Sequence, residues 1–526
     1  MKTLKNMYTW LYNRPTMWCL LSGVIYSLAF FCDYLFMLPF LGIFMFCFRI
    51  FENGNIDHPF KRAFAFFIGF FPVLYSWLAK LYPFEMFDFT SFQGICIVIL
   101  AVFGIALYHS LVVSLIFLIS KFFPKKNALL PIGTAFLFVF YEWFLSVGDL
   151  GFSWGTVAIT QVKFLPLLRN VSLFGAYFIT FIVVAFCGYL AIFIKTKSKL
   201  NLSLASAFLI VPMFSGIILL CIPIQNKTEI KAAAVQGNII STEKWNSERA
   251  NEIVKEHIEL AREAAKNKSQ IIVLAESAFP VPFTSAISSK LAEISKEYGC
   301  TIVTGALIFE TSAEKHNAII AIKPDGSLSN YYTKRRLVPF GESMPLESVV
   351  NFVFDLLNIK FTRVPFVKGD GTELIKLENN VVLGGLVCFD SIFTNLSRDT
   401  VNDGANLITV VTNDSWYEDS AAVDQHVNYA VLRAVENGRY IIRAANTGVS
   451  CFITPTGKVL ERTLPLVKDI TYSSVYTCET RTVYSYVGDL PLYLSFVYLS
   501  FCAFLFVYNA VKSRFYCIIY EQKSAK

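Results

Sequence analysis

Charge is what this 526-residue chain has little of: 16% of its residues are Asp, Glu, Lys or Arg, against about 25% in soluble domains. A disordered chain needs high charge and low hydrophobicity, so that class is excluded, and so is an ordinary soluble enzyme. Histidine is scarce too. The five histidines, at 58, 109, 257, 316 and 426, form no ligand motif, and the twelve cysteines contain no C-x-x-C pair and no zinc spacing. No metal site is expected. No internal repeat or low-complexity segment interrupts the chain.

Apolar surface is what the chain does have. Hydrophobic residues make up 55%, and phenylalanine alone supplies 51. Their distribution divides the chain. Residues 226–486 hold 27 basic and 30 acidic residues and 11 phenylalanines, and the remainder holds 19 basic, 9 acidic and 40 phenylalanines. The reading is a membrane part at 1–225 with about seven helices, a globular domain at 226–486, and a final span with a tail at 487–526.

Apolar runs at 16–31, 34–51, 60–80, 91–120, 128–147, 167–194, 203–225 and 487–511 are the candidate spans. The first two are short and suggest a helical hairpin around Asp33. The basic flank of the first (Lys2, Lys5, Arg14) is like that of a signal peptide, but no small-residue cleavage site follows, so it reads as a retained anchor. With the N-terminus inside, sixteen Lys and Arg near the membrane fall on the cytoplasmic side and only Lys80, Lys163 and Arg169 fall outside. The net charge of +7 then serves orientation, not nucleic acid, and the globular domain lies outside the cytoplasm. An oxidising compartment permits a disulfide among Cys300, Cys388, Cys451 and Cys478, whose pairing the sequence does not give.

Strand-like and helical patterns alternate in the domain. Strands are expected at 231–239, 271–277, 301–309, 317–323, 329–334, 381–388 and 407–413 and within 440–454, with helices at 244–266 and 286–299. This is an α/β layered fold. Three polar residues stand where buried strands end: Glu276, Lys334 and Cys388. A thiol is a weak nucleophile until deprotonated. Glu276 can take its proton, Lys334 can stabilise thiolate and oxyanion, and the backbone N–H of Phe389 is a second oxyanion donor. Such a set exchanges acyl groups through a thioester.

IIVLAESAFP (271–280), YYTKRRLVPFGESMP (331–345), GGLVCFDSIF (384–393) and TNDSWY (412–417) resemble the nitrilase superfamily and, within it, the bacterial apolipoprotein N-acyltransferase family. The resemblance covers nearly the whole chain. It implies a multi-pass helical membrane domain of about eight spans joined to an αββα sandwich. Glu276 would be the base, Lys334 the oxyanion stabiliser and Cys388 the nucleophile. Glu342 would be a supporting glutamate, and Trp245 and Trp416 would be aromatic residues at the mouth of the site. The family usually places a glutamate two residues after the cysteine; here it is Asp390, shorter by one methylene. The implied reaction moves an acyl chain from a phospholipid donor to a diacylated apolipoprotein acceptor by ping-pong chemistry. It implies no metal, nucleotide or other cofactor, in the inner membrane of a bacterium with the catalytic domain on the periplasmic side.

Around these motifs, the apolar stretch 346–368 carries Phe352, Phe354, Phe361 and Phe366. It reads as a lid that contacts lipid, with a core helix as the plain alternative. Glu142, Trp143, Asp149 and GFSWG (151–155) lie near a span end, as a functional polar motif or a structural cap. His426 invites a Cys–His pairing, but the lysine and glutamate already supply the base.

Overall fold

The computed structural model describes residues 9–82, 90–311, 314–357, 359 and 365–524, with side chains as far as 512. Among the described residues, six helices are long and apolar enough to cross a membrane: Pro59–Leu81, Ser91–Phe122, Asn127–Phe144, Ala176–Thr196, Lys199–Cys221 and Leu490–Lys512. Two shorter apolar helices, Pro15–Leu28 and Leu38–Ile50, precede them, each begun by a proline that needs no N–H there. They turn back on each other at Asp33–Leu35, as the hairpin reading anticipated.

Much of the phenylalanine excess is spent between helices. Phe46, Phe66, Phe67, Phe70 and Phe71 are almost fully enclosed, and the Phe46 and Phe66 rings meet at 4.4 Å. The run at 167–194 is not one span. Pro166 and Gly175, whose φ is +77°, divide off two short helices, Leu165–Leu168 and Val171–Phe174, before the span begins at Ala176. The helix expected over 244–266 likewise divides into Ser241–Lys244 and Ala250–Lys266.

The globular domain is built on two six-stranded sheets. In the first, Asn226–Gln236, Ile271–Leu274 and Thr301–Phe309 run parallel. Lys315–Ile322 and Leu328–Thr333 continue it antiparallel, and Asp469–Cys478 closes the other edge. In the second, Val382–Val387, Leu407–Thr412 and Ile441–Ala445 are parallel. Between the sheets lie Ala234, Val273, Val303, Ile319, Leu383, Val411 and Ala444, all buried. Strands buried on both faces read as continuous apolar runs, which is why they stood out in the sequence.

The outer layers differ. Helices Ala250–Lys266 and Ser285–Tyr298 cover the first sheet with an amphipathic face. Helices Thr394–Asn402 and Ala422–Asn437 cover the second, and their apolar residues merge into the same core as the membrane helices. Nearly every residue of Ala422–Asn437 is buried. The second sheet is therefore fixed to the membrane part through its own helical layer.

Candidate active site

Each of the three candidate residues sits just past a strand end, where backbone leaves the sheet. Glu276 lies two residues beyond Ile271–Leu274, and the neighbouring strand approaches it so closely that a side chain at Gly305 would come within 2.5 Å of the Glu276 Cα. Lys334 follows Leu328–Thr333. Cys388 opens a 3-10 turn, Cys388–Ile392, directly after Val382–Val387, with φ of +48°. A left-handed cysteine aims its side chain out of the strand direction.

The side chains converge. Lys334 Nζ lies 3.2 Å from Glu276 Oε1 and 2.8 Å from a Glu342 oxygen. Asn317 Nδ2 donates to both glutamates, at 2.7 Å and 3.0 Å, and the Asn413 N–H donates to Glu276 Oε2 at 2.7 Å. Glu342 also accepts from the Val338 N–H at 3.0 Å. Burial alone would raise the Glu276 pKa, but Lys334, Asn317 and Lys244 outweigh it and hold the carboxyl below its ordinary value. Burial would lower Lys334, but Glu276 and Glu342 outweigh it and keep the ammonium charged. Burial and the nearby Glu276 push the Cys388 thiol up, with Lys334 pulling the other way. The resting site thus pairs an ionised carboxylate with a protonated thiol, the arrangement in which a base can act.

Asp390 does not reach Lys334. It is completely buried and accepts from the N–H groups of Arg336 at 2.8 Å, Val387 at 3.1 Å and Arg335 at 3.2 Å, and from the Tyr332 hydroxyl at 2.9 Å. The shorter side chain therefore clamps the segment after Lys334 to the strand before Cys388. Burial pushes its carboxyl up to about 6, against the pull of Lys334 and these donors.

Several residues here carried no signal in the sequence. Asn317 was an ordinary strand residue. Lys244, beside Trp245, is buried and donates to the Glu276 carbonyl at 2.9 Å, and burial lowers its ammonium pKa to about 8. Beneath Cys388 lies Asp414, which pairs with Arg443 at 2.7 Å and with His426 Nδ1 at 2.9 Å. Burial would raise Asp414, but Arg443 and His426 bring it down to about 2. His426 therefore does meet Cys388, though through the backbone: Nε2 lies 3.1 Å from its carbonyl oxygen and 3.0 Å from Ser391 Oγ. Cys388, Asp414 and His426 offer ligand atoms within 4.8 Å of one another. Both ring nitrogens and the carboxylate are engaged in these hydrogen bonds, so the contact is read as support of the turn. The disulfide allowed by the sequence is not formed, since Cys300, Cys388, Cys451 and Cys478 are all free.

The aromatic candidates are dispersed. Trp245 is 40% exposed, with the Lys244 ammonium 5.7 Å from its ring centre. Trp416 is half-buried in the turn Asp414–Trp416. Phe352 and Phe354 lie on the helix Glu347–Leu356, which buries none of its side chains; Phe352 is 69% exposed and Phe354 half-buried. Phe361 lies outside the described residues. The Gln93 side chain, at the start of a span, donates to the Leu357 carbonyl at 2.8 Å. A cavity of about 340 Å³ opens between Pro345, Leu346 and the span residues Tyr108, His109 and Phe144.

The GFSWG run proves to be a joint. Phe152 stacks on Phe389 at 5.9 Å, Trp154 donates to Gln425, and Tyr429 accepts from the Gly155 N–H and donates to the Ser153 carbonyl. Glu142 accepts from the Val157 N–H and from Thr180. Of the two readings, the structural one holds for Glu142.

Residues 231–476 match the family model described as carbon-nitrogen hydrolase, and residues 22–189 match the one described as apolipoprotein N-acyltransferase N-terminal domain. Curated relatives carry the name apolipoprotein N-acyltransferase. The one from Geobacter metallireducens is 30% identical over 355 residues, covering 65% of this chain and 67% of the relative. Those from Rickettsia prowazekii and Borreliella burgdorferi are 27% and 28% identical, covering 91% and 80% of this chain and 95% and 81% of theirs.

Proposed function

The chain belongs to the apolipoprotein N-acyltransferase family, a membrane enzyme family with a carbon-nitrogen hydrolase fold, and from that premise we propose that it moves an acyl chain from a phospholipid to a diacylated lipoprotein through a thioester on Cys388. The observation that carries the reading is the set of buried Glu276 and Lys334 with half-buried Glu342, held together within 3.2 Å in electrostatic reach of a strained cysteine.

Glu276, ionised at rest, takes the Cys388 proton as the sulfur attacks the sn-1 ester carbonyl. Lys334 and the Phe389 N–H stabilise the tetrahedral oxyanion. Collapse breaks the ester C–O bond, and Glu276 returns the proton to the departing lysophospholipid alkoxide. In the second half, the α-amino group of the diacylglyceryl-cysteine attacks the thioester and gives a proton to Glu276, and the thiol reforms on release of the amide. No cofactor enters these steps.

The catalytic unit is taken as residues 226–486, facing outward from a bacterial inner membrane, on the positive-inside distribution of the flanking charge. Trp245 and Trp416 line the approach, and the exposed apolar helix Glu347–Leu356 with its adjoining cavity admits acyl chains. The test uses the full chain in detergent with a phospholipid of defined acyl length, followed by intact mass spectrometry. A thioester on Cys388 that passes to a diacylated lipopeptide is expected. Release of free fatty acid alone, or full lipoprotein maturation in cells by Cys388→Ser, overturns the assignment.

A further inference from the structure

Where the spans Asn127–Phe144, Ala176–Thr196 and Leu490–Lys512 end against the catalytic domain, they leave a second cavity, of about 280 Å³. Trp143, Tyr177 and Tyr493 stand around it, the amphipathic aromatics that favour the depth of lipid headgroups. Neither Glu276, Lys334, Glu342 nor Cys388 lines it.

Three arginines do: Arg336, Arg398 and Arg433. Arg433 is spent on Glu436 at 2.7 Å. The other two are not. The Arg336 guanidinium rests on the Phe393 ring at 4.8 Å, and Arg398 makes a long Nε bond to the Ser485 carbonyl at 3.4 Å beside Tyr484. Asp399, the acid next to Arg398 in sequence, is taken by Arg335 at 3.3 Å. Among the described residues neither Arg336 nor Arg398 has a carboxylate within ion-pair distance. Two half-buried guanidiniums lining one cavity favour an anion within it, and a phosphate accepts their planar donor forks.

The carboxylates in the wall are already committed or complementary. Glu142 accepts from Val157 and Thr180 with its two oxygens. Asp489 accepts from Thr394 at 3.2 Å with one oxygen, and its other oxygen is buried with no partner among the described residues. An acceptor left bare beside two free cationic donors asks for a ligand that accepts at one end and donates at the other.

We propose that this cavity binds the phosphate of a membrane phospholipid headgroup between Arg336 and Arg398, at a site separate from the thiol, with a headgroup hydroxyl or amine reaching Asp489. The bound lipid fills the seam between spans and catalytic domain and fixes the domain's height over the bilayer.

The test counts lipids and needs no turnover, so it stands apart from the proposed reaction. Full-length Cys388→Ser protein in detergent is titrated with phosphatidylglycerol, phosphatidylcholine or diacylglycerol, and bound lipid is counted by native mass spectrometry. The expected result is one phosphatidylglycerol beyond any held at the acyl-donor site, which the Arg336→Gln/Arg398→Gln pair binds at least about tenfold more weakly. Phosphatidylcholine, whose headgroup has no donor, should bind more weakly, and diacylglycerol should not compete. The Arg336→Lys/Arg398→Lys pair, which keeps both charges but not the planar forks, should bind between the parent and the Gln pair, and its monodisperse elution beside the parent's serves as the folding control. Equal lipid counts in the Gln and parent proteins overturn the site. Displacement of the lipid by millimolar inorganic phosphate, or equal binding of diacylglycerol, overturns a headgroup as its ligand.

Discussion

Cys388 occupies a left-handed backbone position that costs a non-glycine residue roughly 1–2 kcal/mol. Its carbonyl is held from two sides, by Ser391 Oγ at 2.7 Å and by the His426 ring that Asp414 orients. The strain is therefore maintained by a buried polar network and not by the turn alone. In the proposed reaction, Glu276 is the residue whose charge state decides reactivity. Its folded pKa lies below its ordinary value, so it stays ionised through the neutral range, and its contribution to stability is lost only as pH falls through that depressed pKa. The acid limb of acyl-enzyme formation should accordingly lie below the usual carboxylate range. Glu276→Gln should slow acylation at least about 100-fold, with little change in the far-UV spectrum. A rate near the parent's would remove Glu276 as the base. Asp390 accepts from several buried backbone donors, and an amide has one oxygen to offer them. Asp390→Asn should lower stability by about 1–3 kcal/mol, while Asp390→Glu, the family's usual residue, should fold. Denaturant melts of the three proteins would measure it.

Within the globular domain, the helix Glu347–Leu356 carries an exposed apolar face. It follows a left-handed Leu346, buries no side chain and presents Leu346, Val349, Phe352 and Leu356 to the surroundings. In water such a face is a liability; against acyl chains it is favourable. Sequence periodicity recognised the apolar character, but a lid and a core helix share that pattern, and only exposure separates them. Phe352 is largely exposed and Phe354 only half-buried, so Phe352→Ser with Phe354→Ser should lower stability by no more than about 1 kcal/mol. The same pair should slow acyl loading of Cys388 from vesicles much more than from a water-soluble thioester donor. Equal slowing with both donors would remove the lipid-contact role.

At the scale of the whole molecule, the two outer helical layers of the sandwich have different neighbours. One faces solvent with an amphipathic surface; the other is shared with the membrane spans. Asn428 bonds to Asp33 at 2.8 Å and Gln425 to the Phe30 carbonyl at 2.8 Å, so the first hairpin reaches the helix that carries His426 against Cys388. Residues 226–486 produced alone would expose the side of Ala422–Asn437 that packs on the membrane helices and should aggregate, whereas the full chain in detergent should not. A monodisperse, cooperatively melting fragment in plain buffer would show that the layer is self-sufficient.

The division into an apolar, basic part and a near-neutral domain, most strand positions, and the residues Glu276, Lys334 and Cys388 were legible in the chain itself, while Glu342 was implied by the family resemblance. Buried parallel strands write continuous apolar runs, membrane spans write length and charge asymmetry, and reactive groups stand where those runs stop. Asn317, Lys244, Asn413 and the Asp414–His426–Arg443 network were not legible, nor were the breaks at Pro166 and Gly175 or the Arg336–Arg398 cavity. Their partners lie tens to hundreds of residues away, and a polar side chain carries no mark of whether it faces water or a buried carboxylate. Tertiary structure decided those roles because hydrogen bonding and burial are set by what the fold brings within about 3 Å, and local sequence records only what lies along the chain.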